Sequence, residues 1–155
     1  MRKGVCVALV GCVLIGGGVA SMPALADADE DIRYRKLQMS TMGGSLRSIM
    51  AIAQGKLDKS DDFAALVNQA AAATALHESA FSANTDGQGS EETTAKGSIW
   101  ENWEDFSGRL TKLNAGMQAA AGVVNEGGSA EDVVAVLKDQ VFVNCKSCHD
   151  DYRTK

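Results

Sequence analysis

Proline is almost missing from this sequence. The single one, Pro23, lies near the start, so nothing after it carries the strongest helix breaker. Aromatic residues make up only 5 % of the chain, and β-branched runs are rare while alanine is abundant. Those shortages exclude a sheet-rich architecture and leave helices as the regular element. Histidine occurs only twice, at His77 and His149, which excludes a metal centre built from several imidazoles. Cysteine is also sparse, with four: Cys6, Cys12, Cys145 and Cys148. No apolar run reaches the ~20 residues a membrane span needs. The best attempt, residues 4–20, is short and rich in glycine.

That apolar run has another reading. Arg2 and Lys3 precede it, and Pro23-Ala24-Leu25-Ala26 follows with the small-x-small pattern that signal peptidase accepts. Residues 1–26 therefore read as a secretory signal peptide, cleaved after Ala26, and residues 27–155 as the mature domain. A lipoprotein signal ending at Cys12 is the rival, but the apolar run continues past that cysteine. Cleavage would remove Cys6 and Cys12, leaving two cysteines and no framework of disulfides. The remaining 129 residues suffice for one domain with a real core. They carry 13 basic and 20 acidic side chains, a net charge of about −7. An acidic surface argues against nucleic acid and anionic membranes as partners.

Four segments of the expected mature chain keep a helical period. In the first, about 29–53, Met39, Met42, Leu46, Ile49 and Ala53 recur at spacings of three and four, and Gly55 follows as a stop. The second, about 61–81, places Phe63, Val67, Ala70, Thr74, His77 and Phe81 on one stripe, with Ser60-Asp61-Asp62 as its cap. Residues 82–98 are polar and without period, a long loop. The third, about 101–125, aligns Trp103, Phe106, Leu110, Leu113, Met117, Ala120 and Val124 before Glu126-Gly127-Gly128. The fourth runs from about Ala130 to Tyr152, capped by Ser129, with Val134, Leu137, Val141, Cys145, Cys148 and Tyr152 inward. The fold class is all-α, an antiparallel four-helix bundle.

The chemistry is concentrated in Cys145-Lys146-Ser147-Cys148-His149, a C-x-x-C-H at the end of the fourth helix. Positions i, i+3 and i+4 share one helix face. Two thiols can then add to the two vinyl groups of one haem while the imidazole of His149 reaches the iron, the c-type haem attachment pattern. A zinc site wants about four ligands, and only His77 remains to complete one. A thioredoxin-like pair wants a strand before its helix, and a disulfide across this spacing is strained in a regular helix. No acid–base or nucleophile constellation stands out, so an enzyme is not expected.

A C-x-x-C-H near the C-terminus of an exported bundle resembles the class II cytochromes c, meaning cytochrome c′ and its low-spin relatives. The resemblance covers the whole mature chain and rests on YRKLQMSTMGG at 34–44, IWEN at 99–102 and CKSCHDDYR at 145–153. It implies one covalent haem c, a periplasmic location and a homodimer packed through the first two helices. Carried over by position, Cys145 and Cys148 hold the haem and His149 binds the iron. Arg35 matches the arginine near a haem propionate, and Arg153 matches the basic residue on the proximal side. Trp100 matches the family's tryptophan, with packing as its role, and His77 is read as a core or surface histidine.

Met39 matches the residue that covers the distal side of the haem, where low-spin members place a ligating methionine. Thioether ligation would make an electron carrier serving redox partner proteins, with His149 and Met39 on the iron. The alternative is an open, five-coordinate iron that binds nitric oxide or carbon monoxide, with Met39 only lining the pocket. The expectation favours the electron carrier.

Overall fold

The computed structural model describes residues 24–155. The expected signal peptide lies almost wholly outside those residues. Helix α1 spans Ala24–Ala53, so the expected cleavage point after Ala26 falls in its first turn. A 3-10 turn at Ser60–Asp62 leads into α2, Phe63–Thr74, and a short α3, His77–Ala80, continues the same rod after a break at 75–76. After the loop, α4 (Ser98–Glu101) precedes α5 (Trp103–Asn125). The last rod is composite: α6 (Ala130–Val136), a π-helical segment (Leu137–Phe142) and α7 (Val143–Tyr152). α1 packs on α2, α2 on α5, α5 on the last rod, and α6 returns to α1, which closes a four-helix bundle.

The stripes read from the sequence become this core. Every member of the second stripe, from Phe63 to Phe81, is buried. Phe63, Val67 and Ala70 join Met42, Leu46, Ile49, Leu113, Met117 and Ala120 in the larger cluster, and Phe81 belongs to a second. Each fully buried large apolar side chain contributes roughly 1.5–3 kcal/mol. Ala53, expected on the inner seam, is exposed instead, because α1 ends there and runs past its neighbour.

Helix ends follow local chemistry, with one correction. Gly55 and Gly127 adopt φ of 67° and 82°, the left-handed conformation that stops α1 and α5. Ser129 caps α6 in a full capping box: its Oγ accepts from the Asp132 N–H, and the Asp132 carboxylate accepts from the Ser129 N–H. Ser60-Asp61-Asp62 do not cap α2 with their side chains. They form the 3-10 turn themselves, and its backbone bonds already occupy groups a cap would satisfy.

The fourth rod departs from the expected seam. Val133, not Val134, is fully buried, followed by Leu137 and Val141, with Cys145 half-buried after them. Steps of four drift by about 40° each in an α-helix of 3.6 residues per turn. The wider π turns absorb that drift and keep these side chains on one face. The π segment ends immediately before α7, which carries the C-x-x-C-H.

The 82–97 loop is strapped to both chain ends. The Asp29 carboxylate accepts from the Ser90 N–H, the Ser90 hydroxyl and the Glu91 N–H at 2.6–2.9 Å. The Glu91 carboxylate pairs with Arg33 and Lys36. At the other end, Lys96 N–H donates to the Tyr152 carbonyl and Thr154 N–H to the Thr94 carbonyl, at 3.0 and 2.8 Å. The loop thus fixes the final turn of α7 next to the start of α1.

Candidate haem site

Two apolar clusters meet at α7. Cys145 packs against the larger one and Cys148 against a second, built from Ala80, Phe81, Ile99, Phe106, Leu110 and Tyr152. Met39 packs against both. Met39 thus shares the larger cluster with Cys145 and the second with Cys148. Phe106 organises the second cluster, with Phe81 and Tyr152 edge-on to it at 4.9 and 5.1 Å between ring centres.

Both cysteines are free, half-buried thiols. Burial pushes Cys145 up and Cys148 up to about 11, so each is a neutral thiol at ordinary pH. His149 follows Cys148 by one residue and keeps substantial exposure. Partial burial, then the positive charge of Arg153, hold its pKa below the usual histidine value. The imidazole is thereby kept neutral, the form that ligates iron.

Arg35 lies deep in the interior, only 2 % exposed. Its Nη2 donates to Thr85 Oγ1 at 3.0 Å, while its Nη1 has no partner at all. The guanidinium rests on the rings of Phe81 and Trp100, 5.0 and 5.4 Å from their centres. Trp100 is itself oriented by its indole N–H, which donates to the Phe81 carbonyl at 2.9 Å. Burial lowers the Arg35 pKa, with Asp31 pulling weakly the other way. A buried cation with an idle donor and no carboxylate against it lacks an anionic partner. Two neutral thiols, one neutral imidazole and one unpartnered guanidinium are the donor set that a dicarboxylate haem requires, so the residues fit that group.

Arg153 sits elsewhere than a pocket wall. Its side chain is exposed and its Nε donates to Thr94 Oγ1 at 3.3 Å. Its backbone N–H donates to the His149 carbonyl at 3.3 Å, so its charge acts on His149 from the end of the helix.

Arg109 was not singled out from the sequence. From α5 it donates to the Ser147 carbonyl at 2.9 Å and to Asp151 at 2.7 Å, pairs with Asp105 at 2.9 Å, and lies over the Tyr152 ring. It clamps α7 to α5 across the motif. The Asp105–Arg109 spacing of i, i+4 was the available signal, but that spacing also describes ordinary surface pairs. His77 is a core histidine, with no exposed surface. Among the described residues, no group of three or more histidine, cysteine, aspartate or glutamate side chains could hold a metal ion, which disfavours the zinc reading.

A family model described as Cytochrome C' matches residues 30–153. The cytochrome c' of Halomonas halodenitrificans is 31 % identical over 137 residues, 84 % of this chain and 100 % of that one. That of Rhodopseudomonas palustris is 32 % identical over 149 residues, 95 % of this chain and 94 % of its own. Cytochrome c-556 of Agrobacterium tumefaciens is 31 % identical over 127 residues, 81 % of this chain and 98 % of its own. Among solved structures, the nitric oxide complex of a variant cytochrome c prime from Alcaligenes xylosoxidans superposes with a TM-score of 0.70 at 21 % identity. It covers 83 % of this chain and 97 % of that one, and shows the shared fold.

Proposed function

The chain belongs to the cytochrome c′ family and carries that family's single covalent haem c, and from this premise we propose that it binds a diatomic gas, nitric oxide or carbon monoxide, at a five-coordinate iron. The group supplies a redox-active iron with one coordination position open to a small ligand. The protein's own residues do the rest. Cys145 and Cys148 would hold the macrocycle by thioether links, and neutral His149 would ligate its iron. Arg35 holds a propionate with its idle Nη1. Arg153 and Arg109 keep the end of α7, and with it His149, in place.

The observation that carries this reading is the setting of Met39. Its partly buried side chain packs against both apolar clusters that receive the thiols, so it can line the distal side as an apolar wall without ligating. An apolar wall of this kind keeps water and anions out while admitting an uncharged gas. The likeness to proteins named cytochrome c' supports the gas-binding reading over the His149/Met39 electron carrier that the sequence alone favoured. The electron carrier stays as a second reading because Met39 stands one helical turn after Arg35, at the register a thioether ligand needs.

Optical spectra of the purified protein, ferric and ferrous, before and after carbon monoxide, separate the two. A broad high-spin spectrum that shifts on adding the gas is expected. Sharp, split low-spin bands without a response would overturn it and put the Met39 sulfur on the iron.

The same reading includes a periplasmic protein, without catalytic turnover, that pairs with a second copy through α1 and α2. No helix among the described residues is long and apolar enough to cross a membrane. The exposed Leu37 and Leu57 border a groove over Ser48, Leu66 and Gln69 on the outer face of those two helices, which supports pairing there. Sedimentation at micromolar concentration tests it, and a strict monomer would remove this part of the reading.

A further inference from the structure

Among the described residues, His77 is a fully buried ring that the proposed haem site leaves unused. Its exposure is 0 %, and neither ring nitrogen has a hydrogen-bond partner. The backbone of Gln38 lies near the imidazole and pulls its pKa up, against the larger lowering by burial. Burial holds the ring neutral, so it keeps one N–H donor and one bare nitrogen. An unmet donor at such depth is destabilising. Nothing in the packing requires an imidazole there, since a leucine or phenylalanine would complete the stripe without that cost.

The height of the ring in the bundle says what it can serve. α1 and α3 run past each other with Arg35 over Phe81, 5.0 Å from guanidinium to ring centre, and with Gln38 beside His77. Moving from Phe81 back to His77 is one turn along α3. Moving from Arg35 to Gln38 is nearly one turn along α1. His77 therefore stands at the level of Met39, the next residue after Gln38, and Met39 reaches the seam between the clusters that flank both thiols.

We propose that His77 is the hydrogen-bond donor of the distal side, holding a diatomic ligand whose outer atom gains negative charge on ferrous iron. The pocket is then not uniformly apolar. It carries one neutral donor that favours nitric oxide or dioxygen, while carbon monoxide, less polarised, gains little. Distal donors of this kind are one of the levers by which a protein sets ligand preference at haem iron.

This rests on an accessible iron, and the test separates the two claims. The C–O stretching frequency of the ferrous carbon monoxide complex and the nitric oxide dissociation rate are measured in the full protein, in His77→Phe and in His77→Gln. The set is repeated with Met39→Ala, which opens the iron whether or not the thioether ligates. A lost donor should raise the C–O frequency and speed nitric oxide release several-fold in His77→Phe, with His77→Gln restoring both. An unchanged frequency and rate in both backgrounds would overturn the proposal and leave His77 a packing residue. An iron that takes carbon monoxide only after His77→Phe would also overturn it, by making the imidazole a ligand. If the unmutated protein ignores carbon monoxide but Met39→Ala binds it, the open-iron reading fails and the Met39→Ala pair still decides on His77. If His77→Phe does not fold, a deuterium shift of the C–O frequency in a carbon monoxide-binding form supports the donor, and its absence refutes it.

Discussion

Gly116 on α5 faces Gln140 in the π segment so closely that a Cβ on the glycine would stand 3.0 Å from Gln140 Cβ and 3.2 Å from Val141 Cγ2. The unusual turn before the C-x-x-C-H and the missing side chain opposite it belong together. The π segment lies against α5 here, and a glycine leaves it the most room. Gly116→Leu should destabilise the haem-loaded protein by about 1–3 kcal/mol through overpacking. Gly116→Ala should come out near neutral, because helix propensity returns up to about 1 kcal/mol. Denaturant midpoints check both, and equal midpoints for Leu and Gly would deny the tight contact.

Arg35 gives a prediction whose sign depends on the haem. In the haem-free chain its idle Nη1 is a cost of roughly 1–3 kcal/mol. Arg35→Met, which keeps the length and drops the charge, should therefore leave the haem-free chain as stable as before or more so. In the haem-loaded protein the same change removes the propionate's partner and should lower stability. Thermal unfolding of both forms reads the crossover. A loss of similar size in each would mean that Arg35 acts through its packing on Phe81 and Trp100 alone.

Tyr152 sets an alkaline limit. Burial, then the hydrogen bond of its hydroxyl to Asp105 at 2.6 Å, raise its pKa to about 12. The folded chain keeps a proton that an unfolded tyrosine releases near pH 10. The stabilisation is complete below about pH 10 and is lost as pH rises from there toward about 12. Tyr152→Phe should remove that part of the alkaline slope, as read from stability against pH between 9 and 12 on the order of these pKa values. An unchanged slope would place Tyr152's proton release elsewhere.

The capping box at Ser129 predicts a local effect. Ser129→Ala should cost about 1 kcal/mol, with a range of roughly 0.5–2. Because α6 starts the rod that ends in the haem motif, backbone hydrogen exchange should quicken first at residues 130–133. Uniform quickening along the rod would show that α6 and α7 open as one unit.

Much of this protein is legible in its sequence for a plain reason. The pattern of apolar residues specifies each helix and most of its inner face, glycines at 55 and 127 stop two of them, and C-x-x-C-H, with no further cysteine and one other histidine expected in the mature chain, points to its cofactor. Those are local properties, decided within a turn or two of chain. What the sequence left undecided depends on neighbours from other elements. Val133 rather than Val134 is fully buried, and the π segment that follows finds room beside Gly116 of α5. Arg109 clamps the motif only because α5 lies against α7. The packing of α3 on α1 sets His77 near Gln38, and the packing of α1 against the rest of the bundle sets Met39 against two apolar clusters. Whether a methionine packs or ligates, and whether a histidine is bland or poised, are decided by distances between helices, which no periodicity within one helix contains.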